Sequence, residues 1–137
     1  MALVDAYVGP SLSQGAAASR ASVARWRIQR WTEARGWRVG RILEDVSPRQ
    51  AAEPRPLREL VLERVESRET DGLVTTHLWE LGDSLAEVVG TIERIDAAGG
   101  VFASLDEGLD LTTAPGRYMF RLLVSVLEWG HHAGSKC

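Results

Sequence analysis

Short apolar runs and helical stripes take turns along this chain, four of each. Residues 2–8 (ALVDAYV) read as a strand, and the small, polar stretch 9–19 (GPSLSQGAAAS) after it has no large apolar residue beyond Leu12. That composition predicts a mobile loop, broken before Ser11 by Pro10. Val23, Trp26, Ile28, Trp31 and Ala34 recur near a 3.6-residue period and predict an amphipathic helix over 20–35, stopped by Gly36. Residues 37–44 (WRVGRILE) predict a second strand, and 45–56, with three of the five prolines, a loop. Pro56 suits the first turn of a helix. Leu57, Leu60, Val61 and Val65 mark the inner face of that helix, and Arg58, Glu59, Glu63 and Arg64 the outer one. The β-branched run 73–78 (LVTTHL) predicts a central strand. Ser84 with Glu87 three residues on is a capping-box pattern, followed by a stripe of Leu85, Val88, Val89, Ile92 and Ile95 that Gly99-Gly100 ends. Residues 101–105 (VFASL) predict the last strand, 106–108 a polar turn, and 115–129 a final helix with Tyr118, Leu122, Val126 and Trp129 near one face.

Strands alternating with helices of ten to sixteen residues predict an α/β fold of three layers, a mainly parallel sheet with helices on both faces. Ligands in such folds bind beyond the carboxyl ends of the strands. The loops after Val8, Glu44, Leu78 and Leu105 are therefore where chemistry is to be sought. With 137 residues and no internal repeat, 1–137 reads as a single domain. At 45% hydrophobic and 26% charged residues the chain is not a disordered one. No run approaches the roughly 18 apolar residues of a membrane span, and the N-terminus lacks the basic start of a secretory signal. The single cysteine, Cys137, excludes an internal disulfide, so a cytoplasmic protein with no membrane partner is expected. Sixteen Lys+Arg against nineteen Asp+Glu leave a net charge of −3, which counts against a broad nucleic-acid footprint. Arg20, Arg25, Arg27, Arg30, Arg35, Arg38 and Arg41 nevertheless crowd one segment.

The strand-end loops hold Tyr7-Val8-Gly9-Pro10-Ser11, Asp45, Arg55-Pro56-Leu57, Leu78-Trp79-Glu80-Leu81-Gly82-Asp83-Ser84, then Glu107, Asp110 and Pro115-Gly116-Arg117. In this order and spacing, over nearly the whole chain, they resemble the catalytic domain of serine recombinases, the resolvase/invertase family. Its Tyr-x-Arg-Val-Ser signature is met by Tyr7 and Ser11, with Gly9 and Pro10 at the intervening positions. Gly36-Trp37 and Asp45 match further family elements, and Arg55 matches a catalytic arginine. The family's Asp-Arg-Leu-x-Arg reads Trp79-Glu80-Leu81-Gly82-Asp83 here, so two arginines have become acids.

In active members the resemblance implies attack by the serine on a DNA phosphodiester, a 5′-phosphoserine link, and strand exchange within a tetramer. Such phosphoryl transfer relies on cations around the nonbridging oxygens. Losing one costs about 10²–10³ in rate, and a carboxylate in its place repels the phosphodiester by about 1 to 4 kcal/mol at contact. With Gly9, Glu80 and Asp83 at three arginine positions, the expectation is a catalytically inactive member. Ser11 and Arg55 are the retained catalytic positions, and neither cofactor nor metal is expected. Residues 9–19 are the expected mobile active-site loop, 115–130 a truncated dimerisation helix, and 131–137 a flexible tail, because Gly130 and Gly134 weaken a helix. The expected partner is a second copy or a resolvase-family protein, bound through Tyr118, Leu122, Val126 and Trp129.

Other readings stand beside this one. Residual phosphodiester transfer would run through Ser11 assisted by Arg55, and DNA binding without catalysis would use the arginine-rich segment. Ser11 also reads as a turn hydroxyl and Arg55 as a solvated side chain near a helix start. Glu80, Asp83 and Asp45 are the residue type that binds Mg²⁺, and His131-His132 with Glu128 has a metal-compatible spacing. His77 reads as structural. Trp26 and Trp31 read as core or as an exposed partner patch, and Trp79 as an apolar plug in the entrance of the old site.

Overall fold

The structure, a computed structural model, describes residues 2–10, 17–45 and 55–135. Strands β1 (Leu3–Val8), β2 (Arg38–Glu44), β3 (Gly72–Thr75) and β4 (Val101–Ser104) run parallel, and β5 (Leu109–Asp110) lies antiparallel beside β4. Their order across the sheet is β2-β1-β3-β4-β5. Helix α1 (Ala17–Ala34) covers one face, where Ile28 packs on Val4, Ala6, Val74 and Ala103. Helices α2 (Pro56–Glu66) and α3 (Leu85–Ala97) cover the other, their Val61, Leu62, Val65, Val88, Ile92 and Ile95 meeting Tyr7, Leu73 and Phe102. Helix α4 (Ala114–Ser135) follows β5 and sends Phe120 against that second cluster. The three-layer α/β arrangement is the one the alternation of elements predicts.

Strand β1 is central because LVDAYV is covered from both sides: Val4 and Ala6 face α1, whereas Asp5 and Tyr7 face α2. Asp5, fully buried, survives there because Arg64 Nε donates to its Oδ2 at 2.7 Å and the Arg41 N–H to its Oδ1 at 3.1 Å. The hydrogen bond to Asp5 raises the Arg64 pKa against the opposing pull of burial. Arg64 thus leaves the outer face assigned to it by periodicity. A buried carboxylate requires a partner, and α2 supplies one.

Other boundaries move for equally local reasons. On α1 the buried stripe is Ala24, Ile28 and Thr32, while Val23 and Trp26 are exposed; the sequence pattern follows the largest apolar residues, not those that meet the sheet. The helix also begins at Ala17, so residues 17–19 of the expected loop are helical. Strand β3 ends at Thr75, and Leu78–Glu80 form a 3₁₀ turn, because the Thr76 and His77 N–H groups turn to the Glu80 carboxylate instead of extending the ladder, with the Thr75 and Thr76 hydroxyls joining them. The two-residue β5 falls below the length at which periodicity is readable. Ser84 Oγ accepts from the Glu87 N–H at 3.1 Å, but Glu87 in return accepts from Asp83 N at 2.8 Å, one residue ahead of the reciprocal capping box. Gly36, at φ 73°, takes the left-handed conformation that ends α1 as predicted.

Helix α4 runs through Gly130 to Ser135, past the expected end at 129–130, so residues 131–135 of the expected tail are helical. A glycine costs about 1 kcal/mol in a helix, too little to stop one that four preceding turns have nucleated. No helix among the described residues is long and apolar enough to cross a membrane.

Candidate active site

Beyond the carboxyl ends of β1, β2 and β3, the chain brings together Tyr7, Gly9, Asp45, Arg55, Glu80 and Asp83. Asp45 directly follows β2 and is buried. Its Oδ1 accepts from Leu57 N and its Oδ2 from Arg58 N, both at 3.0 Å, and the Tyr7 hydroxyl donates to Oδ2 at 2.8 Å. Asp45 therefore caps α2 from twelve residues upstream; Arg55, at the N-cap, provides no side-chain cap of its own. Burial first, and then the Asp45 carboxylate, push the Tyr7 phenol well above its ordinary range.

Arg55 is only 5% exposed, not the solvated side chain that its sequence position also allowed. Its Nη1 donates to the Glu80 carbonyl at 2.8 Å, and its Nη2 pairs with Asp83 Oδ1 at 2.7 Å. Its Nε has no hydrogen-bond partner among the described residues, Glu87 Oε2 being 3.8 Å away. Arg58, beside it, donates to the Leu81 carbonyl and to Glu87 Oε2, each at 2.6 Å. Burial pushes the Glu87 carboxyl up, but the Asp83 N–H and the two guanidiniums of Arg58 and Arg55 outweigh it and hold the pKa below the usual value.

Glu80 lies in the 3₁₀ turn, 5% exposed, and its carboxylate points inward. Oε2 accepts from Thr75 Oγ1 at 2.8 Å, Thr76 N at 3.0 Å, Thr76 Oγ1, and His77 N at 3.1 Å, while Oε1 accepts from Gly9 N at 3.2 Å. One side chain ties the end of β1 to the end of β3. Gly9 is the other half of this contact: a Cβ there would meet Glu80 Cα at 2.7 Å and its carbonyl carbon at 2.8 Å, with the carbonyl oxygen nearer still. Any residue larger than glycine at position 9 therefore collides with the backbone of the turn that carries Glu80.

Ser11 lies outside the described residues, as do the histidine side chains of 131–132 and Cys137. Trp79 is 60% exposed and does not plug the site, because the 3₁₀ turn that sends Glu80 inward sends its neighbour outward. The three candidate Mg²⁺ ligands do not converge: Asp45 serves α2, Glu80 the strand ends and Asp83 Arg55, and no metal-competent group of three exists among the described residues. Glu107 takes Ser104 Oγ and Leu78 N, and Asp110 takes Thr112 N and Oγ1, so both fix turns. His77 flanks the Glu80 turn, in keeping with a structural role. Sequence reasoning missed Arg58, Glu87, Thr75 and Thr76. Arg58 and Glu87 are distant in sequence and meet only when α2 and α3 pack side by side.

The sequence model of the family described as "Resolvase, N terminal domain" matches residues 14–132, a span that starts after Ser11. No curated protein matches at a significant level. Among solved structures, the N-terminal catalytic domain of TP901-1 integrase is similar at TM-score 0.80 and 21% identity, over 96% of this chain and 98% of that one. A resolvase family site-specific recombinase from Streptococcus pneumoniae gives 0.82 and 16%, over 97% and 90%. The C-terminal catalytic domain of ISC1926 TnpA, an IS607-like serine recombinase, gives 0.64 and 15%, over 76% and 70%.

Proposed function

The chain belongs to the resolvase N-terminal domain family, and from that premise we propose that it is a catalytically inactive serine recombinase-like domain that acts by associating with a second copy or a resolvase-family partner. The observation that carries this reading is the state of Arg55. The one family cation retained at the site is buried and held by Asp83 and the Glu80 carbonyl. A guanidinium whose Nη1 and Nη2 are engaged and whose charge is already paired with a carboxylate lends less stabilisation to charge developing on a phosphodiester. Among the described residues the site sets Arg55 and Arg58 against Asp45, Glu80, Asp83 and Glu87, an acidic balance that repels a phosphate.

Association is supported by α4. Tyr118, Leu122, Val126 and Trp129 form an exposed stripe along it, and no residue from 117 to 130 is buried. An apolar helix face left in water is a surface awaiting cover. Supercoiled-plasmid nicking, with Ser11→Ala as control, tests the first half: parent and variant are expected to be equally inert, and nicking that the variant loses would overturn it. Light scattering tests the second: a concentration-dependent dimer that Leu122→Asp abolishes is expected, and a strict monomer would restrict association to a heterologous partner.

A further inference from the structure

Charge is divided unevenly along the chain. Residues 17–43 carry seven arginines and one acid, Glu33, a net +6 that leaves −9 for the rest of a chain totalling −3. The six other than Arg20 fall into two groups. Arg27 pairs with Asp106, and Arg35 lies 2.6 Å from Asp110 and stacks 4.0 Å from the Trp31 ring centroid, so both fix α1 to the body. Arg25 and Arg30 on α1, with Arg38 and Arg41 on the edge strand β2, are exposed and form no ion pair among the described residues.

Apolar surface lies beside the two on α1. Trp26 is 59% exposed on the side of α1 opposite the buried Ala24–Ile28–Thr32 stripe, with Val23 exposed one turn back. The Arg30 guanidinium sits 5.3 Å from the Trp26 ring centroid. An indole in water beside unpaired arginines combines a π-face with phosphate ligands. A duplex keeps its bases stacked inside and offers such a ring nothing. An acidic peptide would satisfy the arginines and leave the indole bare.

We propose that the outer face of α1 binds single-stranded nucleic acid, Arg25 and Arg30 contacting phosphates and Trp26 stacking on a base. This surface does not use Arg55 or Ser11, so the proposal stands or falls separately from catalytic inactivity.

The test is fluorescence anisotropy of an end-labelled oligothymidine of about 20 nucleotides, titrated with the full chain at low salt. With two phosphate contacts, log affinity falls against log salt with a slope near −1.4, about 0.7 per contact. Trp26→Ala weakens binding ~5- to 150-fold. The pair Arg25→Gln/Arg30→Gln lowers the slope by about 1.4, whereas Arg121→Gln on α4 changes neither quantity. All these positions are exposed and circular dichroism checks folding; should Trp26→Ala misfold, the arginine pair decides. Absence of binding at low salt would overturn the proposal, as would variants that bind like the parent. So would competition by a duplex or by polyglutamate as effective as that by the unlabelled strand.

Discussion

Replacing Glu80 by alanine tests the reading that this residue has become a structural clamp. The carboxylate accepts five hydrogen bonds, three of them from the main-chain N–H groups of Gly9, Thr76 and His77. Threonine hydroxyls rotate to new partners, but main-chain donors at the ends of β1 and β3 cannot. Each N–H left unpaired costs ~1–3 kcal/mol, and water entering the vacated space recovers part of the loss. The expected destabilisation of Glu80→Ala is about 3–5 kcal/mol, a large part of the 5–15 kcal/mol that holds a typical domain together. Glu80→Gln should cost about 1–2 kcal/mol, because an amide oxygen can take the Oε2 position while the NH₂ is left facing the Gly9 N–H. Glu80→Arg buries a cation among donors and should be the worst of the three. Urea unfolding with linear extrapolation measures all of them. A Glu80→Ala protein within about 0.5 kcal/mol of the parent would refute the clamp, and with it the claim that the acid is integral to the fold.

Three further outcomes follow from the same geometry. Gly9→Ala should lose ~1–3 kcal/mol by overpacking against the Glu80 backbone, and a neutral result in thermal melts would contradict the close approach. Tyr7→Phe should lose about 1 kcal/mol with the hydroxyl bond to Asp45, which keeps its two α2 donors; circular dichroism melts would register a drop of a few degrees. Glu87 has a folded pKa below its usual 4.5, so its stabilisation is complete above that pH and disappears as pH falls through the depressed value. Glu87→Gln should therefore flatten the acid limb of stability below about pH 4.5, and an unchanged limb in pH-dependent unfolding would show that the ion pairs with Arg58 and Arg55 contribute nothing.

The alternation of LVDAYV, WRVGRILE, LVTTHL and VFASL with helical stripes made the layered fold readable, and the motif order made the family readable. Residue types also raised the expectation that Gly9, Glu80 and Asp83 stand at arginine positions of the family. They left the fate of those groups open. Glu80 read as an acid facing a phosphate; in the fold it turns away and binds five donors. Trp79 read as a plug and stands in solvent. The difference arises because the 3₁₀ turn fixes which neighbour points inward, and that turn forms through contacts with threonines and with the end of another strand.

The sequence by itself determined the order of the four main strands and four helices, the mainly parallel sheet and the family. These depend on periodicity and residue type, which are local. Only the tertiary structure decided that Asp5 meets Arg64, that Asp45 caps α2, that Asp83 neutralises Arg55, and that Gly9 and Glu80 occupy one space. Each is a pairing across 12 to 71 residues. Burial makes an unpaired charge or donor costly, and which partner removes that cost is settled by packing, after the elements have formed.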